Sequence, residues 1–117
     1  MRALRLDTLK RRQDFVRIAR DGRKAVTPSL IVQAAASPIV EVDCAASRIG
    51  FTVTKKVGNA VVRNRAKRRL RAAAREVISQ YGREKMDYVV IGRNFCVQCP
   101  YDTLLKDLAH ALNKVNS

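Results

Sequence analysis

The sequence predicts an α+β fold, a two-layer α/β sandwich of helices over a small sheet, on three observations. After Gly58-Asn59, apolar side chains recur at helical spacing over a long stretch. Tyr88-Val89-Val90-Ile91 is an unbroken apolar run, suited to a strand buried on both faces. Before the long helix come short segments rich in apolar and branched residues, separated by Gly and Pro breaks. With 117 residues, 47% of them hydrophobic, there is material for one core, so residues 1–117 are read as a single domain.

In chain order, Phe15, Ile18 and Ala19 fall at helical spacing between Leu9 and Asp21, and Gly22 supplies a stop, which predicts a short first helix. Leu30 to Ala36 and Ile49 to Thr54 read as strands, with Pro28 and Ser37-Pro38 marking the breaks around the first of them. Ile39 to Ala46 fits either a strand or a connecting loop. The long helix runs to about Gln80, with Gly82 just past its end. At 100 degrees per residue Val62, Ala66, Leu70, Ala73, Val77 and Tyr81 make a core stripe, and Asn64, Arg65, Arg68, Arg71 and Arg75 make an opposite basic ridge. The Tyr88 to Ile91 strand is predicted to be central. A last helix from about Asp102 to Val115 has Asp102 as its expected cap and Leu104, Leu108, Leu112 and Val115 along one stripe. The order is helix, two or three strands, helix, strand, helix; with three strands it is written αβββαβα.

Charge narrows the function. Lys and Arg number 24 against 10 Asp and Glu, a formal net charge of +14. Ten of the bases lie between Arg48 and Arg75 with no acid among them, whereas Ala25 to Ser47 holds no base at all. Cations concentrated in this way form a patch that attracts polyanions, and nucleic acid is the expected partner class. The longest uncharged stretch, Ala25 to Val40, contains Pro28 and Pro38 and is too short to span a bilayer. Met1-Arg2-Ala3-Leu4-Arg5 is interrupted by charge before a signal-peptide core can form, so a cytoplasmic protein without a membrane partner is expected.

An RNA-cleaving site built from side chains needs an acid and a base of suitable pKa, or carboxylates clustered to hold metal. The sequence has one histidine, His110, and ten scattered carboxylates, so no catalytic residue and no metal site is assigned within the protein. Cys96-Val97-Gln98-Cys99 has the spacing of half a zinc site, which Cys44 and His110 could complete; without a second close pair, free cysteines are the simpler reading.

Binding chemistry is concentrated around Lys55-Lys56-Val57-Gly58-Asn59-Ala60-Val61-Val62-Arg63-Asn64-Arg65, which places cations on both sides of a helix start. The first turn of a helix presents unpaired N–H groups and the positive end of the dipole, and Gly58 permits close backbone approach. Lys55 and Lys56 add point charges. Arg63 and Arg65 offer planar forks for phosphate, and Asn64 can both donate and accept toward a base edge or a 2′-OH. The same groups could hold DNA. A ribosomal or ribosome-associated protein and a nucleoid DNA binder are the rival readings of this patch.

The run from Arg48-Ile49-Gly50-Phe51-Thr52-Val53-Thr54-Lys55-Lys56 through Arg63-Asn64-Arg65-Ala66-Lys67-Arg68, continuing into Arg69-Leu70-Arg71, resembles the signature of the bacterial ribonuclease P protein family. The opening Leu9-Lys10-Arg11-Arg12-Gln13-Asp14-Phe15 resembles that family's first helix, so the likeness covers nearly the whole chain. The resemblance implies a ribosomal protein S5 domain 2-like sandwich, with a small mixed sheet and a left-handed βαβ crossover against the usual right-handed rule. It implies a protein subunit of a ribonucleoprotein endoribonuclease that removes the 5′ leader from precursor tRNA. The catalytic ribonuclease P RNA and precursor tRNA are the implied partners, with no obligate protein partner. Mg2+ would serve the holoenzyme, bound mainly by the RNA. The implied RNA-binding set is Lys55, Lys56, Asn59, Arg63, Asn64, Arg65, Lys67, Arg68, Arg69 and Arg71. A separate leader cleft maps onto Phe15, Ala19, Gln33 and Phe51. Ala19 and Gln33 depart from the family there, because both positions are often aromatic, and Phe15 reads equally as a core residue of the first helix.

Overall fold

The apolar run Tyr88 to Ile91 forms the middle of the sheet. In the computed structural model, which describes residues 6–38 and 46–116, this run belongs to the fifth strand, β5 (Met86–Gly92). The preceding elements are β1 (Leu6–Thr8), α1 (Arg12–Asp21), β2 (Arg23–Val26), β3 (Leu30–Ala36), β4 (Ser47–Val53) and α2 (Ala60–Tyr81). The last is α3 (Tyr101–Asn116). Short 3-10 turns cover Lys55–Val57 and Asn94–Val97. The sheet order is β1-β4-β5-β3-β2, with β4 parallel to both β1 and β5, and β3 antiparallel to both β5 and β2.

Alternation along the strands divides the core in two. Tyr88 and Val90 of β5 join Ile49, Val53, Leu30, Val32 and Ala34 beneath α2 and α3. Ala66, Leu70, Ala73, Ala74, Val77 and Ile78 from α2 and Leu104, Leu108, Ala111, Leu112 and Val115 from α3 complete that cluster. Val89 points to the opposite face and packs with Leu9 and Ile18 under α1. The buried Tyr88 hydroxyl donates to Asn116 Oδ1 (3.0 Å) and accepts from the Arg83 N–H (2.8 Å), tying β5 to the chain beyond α2 and to the end of α3.

The start of α2 is fixed locally. Asn59 Oδ1 accepts from the Val62 N–H at 3.0 Å, a side-chain cap. Gly58 has φ of +156°, and a Cβ there would lie 2.8 Å from Val62 Cγ1, so this turn requires glycine. The helix ends as the Gly82 N–H donates to the Ile78 carbonyl.

Several expectations change. The first helix begins at Arg12 rather than Leu9, because the Leu9 N–H donates to the Ile49 carbonyl (2.9 Å) and prolongs the β1–β4 edge. The short strand β1 was not anticipated. The third strand between α1 and α2 is β2, and the ambiguous stretch from Ile39 lies, up to residue 45, outside the described residues. Tyr81 is 67% exposed rather than core, because the buried stripe ends at Val77 and Ile78. Asp102 does not cap α3. It sits in the first turn, where its charge complements the dipole, and the Pro100 carbonyl accepts the first helical bonds from Thr103 and Leu104.

A charge cluster seats α1 on the sheet. Asp87, fully buried on β5, accepts from Arg48 Nε (2.8 Å) and Nη2 (2.6 Å) on β4 and from Arg17 on α1. These bonds hold the Arg48 guanidinium pKa above its ordinary value. Asp14 stands 3.6 Å from Arg48 and 3.9 Å from Arg17, closing the network.

Candidate nucleic-acid interface

The basic segment falls on one edge of the molecule. Lys55 and Lys56 are exposed on their 3-10 turn, and Asn59 is exposed at the head of α2. Asn64, Arg65, Arg68, Arg71 and Arg75 are all exposed along α2, opposite its buried stripe. Arg63 and Lys67 are half-buried at the margin of that ridge. Arg63 Nε is shielded from solvent and finds no acceptor among the described residues, so a ligand oxygen would complete its bonding.

Arg69 is turned inward. Its guanidinium donates to the carbonyls of Cys96 (2.8 Å), Val97 (2.9 Å) and Cys99, pinning the Asn94–Val97 turn against α2. Among the described residues it is the one predicted binding cation whose guanidinium is held by other groups of the protein. Arg48 is engaged in the same way by Asp87 and Asp14.

On the other face of the sheet lies a cleft of about 540 Å3 between α1 and the strands. Phe15, Ala19, Gln33 and Phe51, brought together from α1, β3 and β4, all line it, joined by Val89 and Ile91 of β5 and rimmed by Lys10 and Arg12. Phe15 is half-buried, and a Cβ at Gly50 would fall on its ring. The ring therefore rests on bare backbone of β4 while it lines the cleft. Phe51 is partly packed against the α2 core and reaches the cleft from the edge of the sheet. Gln33 brings an amide with donor and acceptor capacity to a cleft whose floor is mostly apolar.

The Ribonuclease P family model matches residues 4–116. The chain belongs to the ribonuclease P protein family. It is similar to the ribonuclease P protein component of Paramagnetospirillum magneticum, at 49% identity over 98% of this chain and 86% of that one. It is also similar to that of Ruegeria pomeroyi, at 47% identity over 96% and 88%. The solved Staphylococcus aureus RNase P protein superposes with a TM-score of 0.74 at 28% identity, covering 94% of this chain and 97% of that one. The Thermotoga maritima RNase P protein superposes with a TM-score of 0.78 at 24% identity, over 95% and 99%, and shares the fold.

In this ribonuclease P family member the described histidine and cysteines belong to neither surface. His110 is exposed on α3. Cys96 and Cys99 are buried, and burial pushes both thiol pKa values up. Cys44 lies outside the described residues. Among the described residues no three His, Cys, Asp or Glu side chains stand close enough to hold a metal ion, and no helix is long and apolar enough to cross a membrane. Sequence reasoning passed over Asp87, the residue that orients α1. It is the sole buried acid among the described residues, yet its only sequence signal is its place at the edge of an apolar run.

Proposed function

We propose that this protein binds the catalytic RNA of ribonuclease P with the α2 ridge and takes the 5′ leader of precursor tRNA in the α1 cleft, assisting endonucleolytic removal of the leader. The observation that carries the reading is the separation of two surfaces across one sheet. One bears cations at a capped helix start, and the other is an aromatic-bearing cleft of about 540 Å3, open to unstacked bases. Lys55, Lys56, Arg63, Arg65, Lys67, Arg68 and Arg71 supply charge and forks to phosphates, and Asn64 reaches a 2′-OH or base edge. Asn59 helps through its cap, which orients the first N–H groups of α2. Phe15 offers a ring to one leader base, while Ala19 leaves space and Gln33 substitutes hydrogen bonding for a second ring. Such a partner places the protein in the cytoplasm.

In this reading Mg2+, held by RNA oxygens, would supply activation of water and charge stabilisation at the scissile phosphate. The described residues offer no donor cluster that fits it, so every step assigned to this chain is binding and positioning.

Reconstitution with purified catalytic RNA at near-physiological magnesium tests the whole reading. The protein should raise the rate of leader removal and should cleave nothing alone. Phe15→Ala should weaken holoenzyme affinity for leader-bearing precursor and leave mature tRNA unaffected. Equal losses on both, with a lower melting temperature, would make Phe15 a core residue only.

The ridge is tested by salt. If it neutralises roughly six phosphates, log affinity for the catalytic RNA should fall against log salt with a slope of about −4 to −5. Arg68→Ala should flatten that slope by roughly 0.7 to 0.9, whereas Phe15→Ala should leave it alone. An unchanged slope after loss of Arg68 would remove that residue from the interface.

A further inference from the structure

A second hollow, of about 420 Å3, opens on the other side of Phe51, between α2 and the β1–β4 edge. Its size lies within the range of small-ligand pockets, roughly 300–1,000 Å3. Leu6, Ile49 and Phe51 give it apolar walls, and Lys67, Arg71 and Arg75, one helical turn apart along α2, give it three cations. No acid lines it among the described residues. The hollow lies where β1 ends: β1 pairs with β4 only as far as Ile49, so at Phe51 the outer edge of β4 has no neighbouring strand among the described residues. Phe51 lines both this hollow and the α1 cleft, so the two are contiguous across the sheet edge.

We propose that this hollow is a nucleotide subsite for single-stranded RNA, taking one unstacked base against Leu6, Ile49 and Phe51 and its flanking phosphates on Lys67, Arg71 and Arg75. Apolar walls beside a row of cations complement the two halves of a nucleotide, a face that stacks and a charge that pairs. A base held in a duplex could not enter, so the occupant is an unpaired residue. Two sources share this chemistry: leader that continues past the cleft over Phe51, and an unpaired nucleotide of the catalytic RNA. The inference rests on the function proposed above and adds a subsite between the two surfaces, sharing Lys67 and Arg71 with the ridge and Phe51 with the cleft.

Thr8→Trp tests it. Thr8 is exposed on the rim of the hollow, outside the cleft lining, and an indole there would fill the space while suiting a strand. Affinity is measured for the catalytic RNA alone and, in the holoenzyme, for precursors with a long leader, a leader ending within the cleft, and no leader. Loss of about tenfold confined to the long leader assigns the subsite to the leader. A similar loss for the catalytic RNA alone assigns it to that RNA. Wild-type affinity in every arm, at an unchanged melting temperature, overturns the subsite while leaving the proposed function standing. Failure of the wild type to stimulate the catalytic RNA would instead overturn that function. Should the indole prevent folding, amide NMR of the wild-type chain titrated with a short oligouridylate decides. Shifts at Leu6, Ile49 and Lys67 are expected, and shifts restricted to the α1 cleft overturn the proposal.

Discussion

Replacing Asp87 with alanine should lower the melting temperature by roughly 10–20 °C, the largest effect expected of any single side chain outside the apolar core. The carboxylate is fully buried and receives hydrogen bonds from two guanidinium groups. Removing it leaves Arg48 and Arg17 with only the more distant Asp14, at 3.6 and 3.9 Å, as counter-ion, and losing one partner of a buried pair costs about 3–5 kcal/mol. The Arg48 and Arg17 side chains keep 19% and 25% exposure, so water can reach them in part, and the lower end, about 3 kcal/mol, applies. Arg48→Ala should cost less, since Asp87 would retain Arg17. Thermal melts by circular dichroism check both, and a shift of only a few degrees for Asp87→Ala would mean that apolar packing alone seats α1. Because α1 forms one wall of the cleft, the same variant should lose discrimination between leader-bearing and leaderless RNA.

Leu70→Ala and Arg65→Ala, five residues apart on α2, should behave in opposite ways. Leu70 is fully buried beneath the sheet-facing side of the helix, and truncating such a leucine costs about 2–5 kcal/mol, a large part of the roughly 5–15 kcal/mol that holds a small domain folded. Arg65 is exposed, and its loss should change stability by no more than about 0.5 kcal/mol while weakening the complex with RNA. Urea titrations of the two variants beside RNA-binding measurements make the comparison. Greater destabilisation by Arg65→Ala would contradict the helix phase on which the ridge depends.

That phase was legible because α2 is long and its pattern redundant: Ala66, Leu70, Ala73 and Val77 are buried, and Asn64, Arg65, Arg68, Arg71 and Arg75 are exposed, as the wheel requires. The wheel erred at Tyr81, where periodicity continued after the layer beneath had ended. Edge strands were harder. β2 buries only Ala25 and carries Arg23 and Lys24, and β1 has three residues, so neither shows an alternation long enough to read. Charge counting gave the position of the basic segment but could not tell Arg68, which is exposed, from Arg69, which is folded back onto three carbonyls. No local spacing joins Phe15, Gln33 and Phe51. Their meeting in one cleft follows from strand order, and the family resemblance had supplied that before any geometry did.

The strand order also sets a timetable for assembly. β5 alone joins the β1–β4 pair to the β3–β2 pair, and it is the last strand to leave the ribosome. Until then the nascent chain holds two separate ribbons, and an isolated two-stranded ribbon is marginally stable at best. The cooperative core, Tyr88 and Val90 included, therefore closes late in synthesis, after the cation-rich α2 has been made. Through that interval the emerging chain carries most of its positive charge on an unfolded backbone, and a polyanion that binds the finished ridge more tightly than the unfolded chain would pull the folding equilibrium toward the native state.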